Sequence, residues 1–316
     1  MNIKKIGLTA LAGSLVATSA FAGALSVSGG ASFKVQHVNG GAANTGKAWS
    51  MGNSVTFSGS GELDNGLTVG ISFELDQNAA TQQPFDSHSL TIGSDTFGTL
   101  TFAGHGGSSA VNAVEDTGSG GIWDSGFSAT NPPNTSASNN MLSYTNSNLY
   151  DGLSLTVSHV PHGTGEHESA TDWGLKYTGV EGLTIGMAAG DDNATAGSHA
   201  DMTVYYGSYA YGPITVAYSQ SEYDSESAAT AADKDYVGYS ISYTVSDEIS
   251  VSYGVSDQST PNKSSDSDQE ISGFKASYTT GGMTISGKIA NADNIGFSSA
   301  ATKQQSMWEI GASFAF

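Results

Sequence analysis

The sequence predicts an all-β protein: a 16-stranded antiparallel transmembrane β-barrel. Three observations predict it. Apolar residues alternate with small or polar ones in runs of about nine to eleven positions. The breaks between runs are short and long in turn. The chain ends on one more alternating run, WEIGASFAF (308–316), with Trp308, Ile310, Phe314 and Phe316 on one face and Glu309, Gly311, Ser313 and Ala315 between them. Ends of soluble domains usually fray in polar residues. This one is patterned for burial of one face up to its last residue.

The first residues predict export. MNIKK carries Lys4 and Lys5, an apolar run follows at 6–17, and Ala20-Phe21-Ala22 matches a small-residue cleavage site. Residues 1–22 therefore read as a secretory signal peptide, leaving a mature barrel domain of 23–316. The apolar run is too short to serve as a membrane anchor. The 316 residues contain no cysteine, so disulfides and thiolate metal sites are excluded. All ten basic residues are lysines, set against 30 aspartates and glutamates, a net charge of −20. Nucleic acid and anionic headgroups are thus not expected partners. Gly numbers 41 and Pro only 6, which suits one large all-β domain.

Taken in chain order, the candidate strands start near Ala24, Asn53, Gly66, Ser87, Gly98, Met141, Gly152, Ala170, Gly182, Asp201, Pro213, Asp235, Glu248, Glu270, Gly282 and Ser306. LTVGISFEL (67–75) shows the pattern: Leu67, Val69, Ile71, Phe73 and Leu75 share one face, and Thr68, Gly70, Ser72 and Glu74 the other. Seven breaks carry turn chemistry: LDNGL, SDTFG, NSNLYDG, TGVEG, YGP, VSDE and TGGM. Eight are longer: 39–52, 76–86, 105–140, 161–169, 190–200, 223–234, 257–269 and 291–305. Both termini fall on the short-turn side, which is the layout of an outer-membrane barrel. In lipid every backbone polar group needs a partner, so the sheet must close. The inward face of Ser, Thr, Gly, Lys, Glu and Asp is too small to fill a barrel of this size, and an aqueous channel results.

The terminal pattern Glu309-x-Gly311-x-x-Phe314-x-Phe316 resembles the C-terminal signal of outer-membrane barrels. With the strand layout and the export signal, the mature chain resembles a general diffusion porin of Gram-negative bacteria, alphaproteobacterial in plan. The resemblance implies a homotrimer in outer-membrane lipid and passive diffusion of small hydrophilic solutes and ions. It makes Gly311, Phe314 and Phe316 the assembly signal read by the barrel assembly machinery. It also implies that the longest break, 105–140, folds into the lumen as a constriction, bringing Glu115, Asp116 and Asp124. Such porins face that loop with arginines. This chain has none, so any opposing positive charge must come from lysine.

The lysines are placed by counting. With Gly281-Gly282 as a two-residue turn, Thr280 pairs with Met283 and Lys275 falls opposite Lys288. Both then face the lumen near mid-barrel, and two like charges in direct opposition repel. Lys34 faces inward nearer the outer rim. Lys176 and Glu62 lie at the short-turn mouth, and Glu74, higher on its strand, is a pore-lining candidate. Small outward residues Gly29, Ala31, Gly59 and Gly61 predict a wall that packs against another barrel.

No cofactor is expected. HGTGEHE (162–168) fits no zinc spacing, and DSDQE (266–270) and GDDN (190–193) could hold calcium only loosely. Three other functions stay open on sequence alone: a substrate-specific channel, a barrel hydrolase using a Ser/His pair, and a surface binding protein without a pore. The acidic excess predicts a cation-preferring pore.

Overall fold

The computed structural model describes residues 25–41, 46–76, 85–112, 118–122, 126–127, 129–132, 139–161, 169–191, 199–226, 233–261, 263 and 266–316. These form sixteen strands: β1 (Ser26–Gly40), β2 (Gly46–Glu62), β3 (Thr68–Asp76), β4 (Ser87–Ser94), β5 (Gly98–His105), β6 (Met141–Tyr150), β7 (Leu153–Val160), β8 (Ala170–Tyr177), β9 (Leu183–Asp191), β10 (Ala200–Tyr211), β11 (Ile214–Ser225), β12 (Lys234–Thr244), β13 (Ile249–Ser259), β14 (Gln269–Thr280), β15 (Met283–Asp293) and β16 (Gln305–Ala315). Each is hydrogen-bonded to its sequence neighbours, and β1 to β16, so the sheet is a closed antiparallel barrel. The 1–22 signal segment lies outside the described residues.

Two-residue turns join three of the hairpins, β6–β7, β10–β11 and β14–β15. Gly281 takes φ +55°, which a glycine reaches without penalty. Thr280 pairs with Met283 across that turn, and the ladder runs outward to Lys275 opposite Lys288. Between β6 and β7 the tight turn is Asp151-Gly152, and the ladder is irregular between Asn146 and Tyr150. Short and long connections alternate from β2 onward; the first connection, expected to be long at 39–52, spans only 41–45 and is no longer than the β2–β3 turn at 63–67.

Several strands reach further into the long-loop end than the apolar alternation indicates. The largest difference is β2, which starts at Gly46 rather than near Asn53. Trp49 there packs on Phe33 of β1 with ring centroids 5.1 Å apart. Trp49 and Met51 continue the outward face at period 2, and Met51 pairs with Phe33. The apolar period is interrupted only at Asn53, which falls on the same outward face between Met51 and Val55.

The apolar residues are distributed inside out. Large side chains such as Phe33, Ile71, Tyr205, Tyr239, Phe274 and Ile310 stand exposed on the outer wall. The buried clusters sit inside, between the wall and the segment joining β5 to β6. One gathers Val38, Ile271, Ala290, Ala292, Ile295 and Met307 around Ile122 of that segment, with Phe127 and Ala129 packed against it. The other sets its Val111 on Ala188, Met202 and Val204.

Closure extends to the last residue. Gly29 N–H donates to the Phe316 carbonyl at 2.8 Å, and Phe316 N–H donates back to Gly29 at 3.0 Å. A β-carbon on Gly29 would lie 2.9 Å from Phe316 Cε2 and 2.9 Å from the Ser54 carbonyl oxygen. The terminal ring thus occupies the space that this glycine leaves. Gly59 differs, since a β-carbon there meets Leu25 and Ile71 only at 3.8 and 3.9 Å. Phe316→Ser and Gly29→Val are therefore expected to lower the yield of heat-modifiable folded barrel in membranes, while Gly59→Ala leaves it near wild type. Semi-native gels of membrane fractions read the difference.

Candidate functional site

The lumenal site is built from four adjacent strands and the loop they face. Alternation puts Lys34 of β1, Glu309 of β16, Lys288 of β15 and Lys275 of β14 on the inner wall. Register places them at one level: Lys275 opposite Lys288, Lys288 opposite Glu309, and Lys34 two residues along β1 from Gln36, which faces Glu309. They line a cavity of about 450 Å³ together with Gly121, Gly126, Ser250, Ser252, Ser277 and Ser286. Sequence reasoning put Lys34 nearer the outer rim. Its Nζ instead lies 3.2 Å from Glu309 Oε2, within the same cluster. The offset arises because β1 and β16 are staggered at the seam, Lys34 pairing with Gly311.

The loop between β5 and β6 lies against the inner wall, held by polar contacts along its described length. At its start, Ala110 N–H donates to Ser158 Oγ at 2.9 Å, and Ser158 O–H donates to the buried Asp172 carboxylate at 3.3 Å. Gly118 N–H donates to Ser219 Oγ at 3.2 Å. Lys275 Nζ donates to the carbonyls of Gly120 and Gly121, each at 2.8 Å. Further on, Thr130 and the Gln269 amide form a reciprocal pair at 3.0 and 2.8 Å. One lysine of the opposed pair thus bonds loop backbone, so its charge is met by carbonyl dipoles.

A glycine notch seats this loop at Ser119. A β-carbon on Gly254 would fall 2.1 Å from the Ser119 carbonyl oxygen, and one on Gly238 would fall 2.8 Å from Ser119 N. Those two positions on β12 and β13 are bare because the loop backbone occupies the space above them.

The remaining sequence candidates fall elsewhere. Glu74 lies near the loop end of β3 and accepts a 3.2 Å hydrogen bond from Ser87 Oγ; it does not line the lysine cavity. Lys176 and Glu62 sit at short-turn ends of β8 and β2. Glu115, Asp116 and Asp124 lie outside the described residues, as do 162–168 and 192–193, while Gly190 and Asp191 end β9. Gly311 faces Lys34, and a β-carbon there would sit 3.5 Å from the Lys34 Cβ. Phe314 and Phe316 stand exposed on the outer wall. Among the described residues, no group of three or more His, Asp or Glu is arranged to hold a metal. Asp266 of DSDQE accepts instead from Thr260 Oγ1 at 2.9 Å.

Sequence reasoning missed Glu309 as a lumenal residue, along with Ser158, Ser219, Gln269 and the glycine notch. Alternation alone puts Glu309 inward. Its partners were hidden because a long loop precedes β16 and the seam joins the two ends of the chain.

The chain matches the Gram-negative porin family over residues 7–296. It belongs to that family: its closed 16-strand barrel is an outer-membrane β-barrel of the pore-forming, non-enzymatic kind. Among solved structures it is similar to the anion-selective porin from Comamonas acidovorans, at 15% identity, TM-score 0.69, over 93% of this chain and 99% of that one. A triple mutant of Rhodopseudomonas blastica porin aligns at 16% identity, TM-score 0.69, over 93% and 100%. A porin structure refined at 1.8 Å aligns at 20% identity with the same TM-score and coverage. None of the curated protein sequences matches the chain.

If the notch seats the loop, filling it unseats the loop. Gly254→Val is expected to raise single-channel conductance in planar bilayers while heat-modifiability stays normal. Gly207→Ala, where a β-carbon meets nothing within 4 Å, serves as the neutral control.

Proposed function

We propose that this porin is a general diffusion channel for small hydrophilic solutes, with a preference for cations, and that its constriction lies between the 105–140 loop and the lysine wall. The observation that carries the constriction is the packing of this loop inside the barrel, with Lys275 bonded to its backbone. A lumen lined by Ser, Gly and Thr beside the lysines offers hydrogen bonds without a shaped apolar pocket, which suits unselective hydrophilic traffic.

The cation preference follows from charge. The mature chain expected from cleavage after Ala22 has all 30 acidic residues and eight lysines. Acidic pairs crowd the long-loop end: Asp201 opposite Asp191 and Asp224, Glu222 opposite Asp235, and Glu270 opposite Asp257 and Asp293. On the wall, Glu309 offsets two of the lysines. Glu115, Asp116 and Asp124 add negative charge to the loop in sequence. A water-filled mouth of one sign gathers counter-ions. The Comamonas relative is described as anion-selective, so the sign is a property of each chain's own charges rather than of the fold.

The assembled form we propose is a homotrimer in outer-membrane lipid, inserted by the barrel assembly machinery through the Gly311, Phe314 and Phe316 strand. The β1–β2 wall with Ala31, Gly59 and Gly61 is the packing face; at Gly29 the free space is taken within the chain by Phe316.

Zero-current potentials across a KCl gradient test the sign. A cation preference is expected that weakens as salt rises, since the screening length falls from about 10 Å at 0.1 M to about 3 Å at 1 M. Replacing Glu115, Asp116 and Asp124 together by their amides should reduce it. An anion preference in the unaltered protein contradicts the reading.

A further inference from the structure

Among the described residues that line the lysine cavity, Glu309 is the one carboxylate. Its two oxygens serve two ammonium groups: Oε2 lies 3.2 Å from Lys34 Nζ and Oε1 lies 3.8 Å from Lys288 Nζ. The three residues come from β1, β16 and β15, so the group straddles the seam where the barrel closes. Glu309 and Lys288 are shielded, at 16% and 12% side-chain exposure, while Lys34 stands open to the lumen at 46%. Lys275, the next cation along the wall, bonds the loop carbonyls of Gly120 and Gly121. Among the described residues lining the cavity, three lysines face one carboxylate, and that carboxylate reaches two of the three.

We propose that Glu309 is the specificity-determining residue of the pore: by offsetting Lys34 and Lys288 it lets cations past a wall that would otherwise repel them. The proposal rests on the reading of this zone as the constriction. A purely structural role, tying the closing strand to its two neighbours, is the competing account. The closer pair has an open partner in Lys34 and adds little stability, whereas the charge of Glu309 acts on every passing ion. In water, a unit charge about 5 Å from the ion path changes an ion's local partition by roughly fourfold, in opposite senses for cations and anions. Losing the Glu309 charge should thus lower the cation-to-anion permeability ratio by about tenfold at low salt.

The test uses the full-length protein purified from membranes and compares zero-current potentials in a dilute KCl gradient for wild type, E309Q, E309D and K34Q. E309Q should shift strongly toward anions, E309D should stay near wild type, and K34Q should shift toward cations. An E309Q channel of normal unit conductance with unchanged selectivity overturns the proposal. Should E309Q fail to assemble, K34Q still decides: an unchanged or anion-ward ratio overturns the idea, because freeing Glu309 of a lysine must favour cations. An anion-preferring wild type would overturn the cation reading of the channel alone. The Glu309 proposal would still stand or fall on the direction of the two mutant shifts.

Discussion

The constraint on which this structure depends is that no backbone amide may be left unpaired in hydrocarbon. Each unsatisfied group there costs several kcal/mol, so the sheet cannot have an edge. Everything else follows from that. The first strand must find the last, which is why the ladder between β1 and β16 runs from Gly30–Ala315 to Gly40–Gln305 and why Phe316 exchanges two hydrogen bonds with Gly29. The apolar side chains face outward because their solvent is lipid. The inner face is left to water and to whatever the chain folds into it.

A closed wall of sixteen strands is wide, and the loop between β5 and β6 narrows it. Its attachment combines two kinds of interaction. Ile122 and Val111 fill apolar patches on the wall, and backbone groups of the loop meet Ser158, Ser219, Lys275 and Gln269. The seated loop backbone also explains two glycines that face the lumen with no turn to make. The site is thus a product of closure: Lys34 and Glu309 lie 275 residues apart in sequence and meet only across the seam.

Strand number, hairpin register and the inward face of Lys275 and Lys288 were legible in the sequence because period 2 and two-residue turns are local signals. The start of β2 was not, since Asn53 interrupts its outward apolar series between Met51 and Val55. Nor were the partners of Glu309, which a non-local seam determines. The covered part of the wall left a signal of its own. Met202, Val204, Ile271, Ala290 and Met307 are apolar at positions that alternation assigns to a polar lumen, and each is buried. An apolar residue facing a water-filled channel implies that something covers it, and here the loop does. Ser158 and Ser219 carried no such mark, because serine is everywhere in this chain.

The central claim is that closure leaves one continuous aqueous path, narrowed but not blocked by the loop. Single-channel recording of the purified protein in a planar bilayer tests it most directly. The account predicts discrete, ohmic conductance steps that scale with the conductivity of the bathing salt. Insertion without steps, or a conductance that saturates as salt rises at the levels where screening should open the pore to both ions, would contradict it.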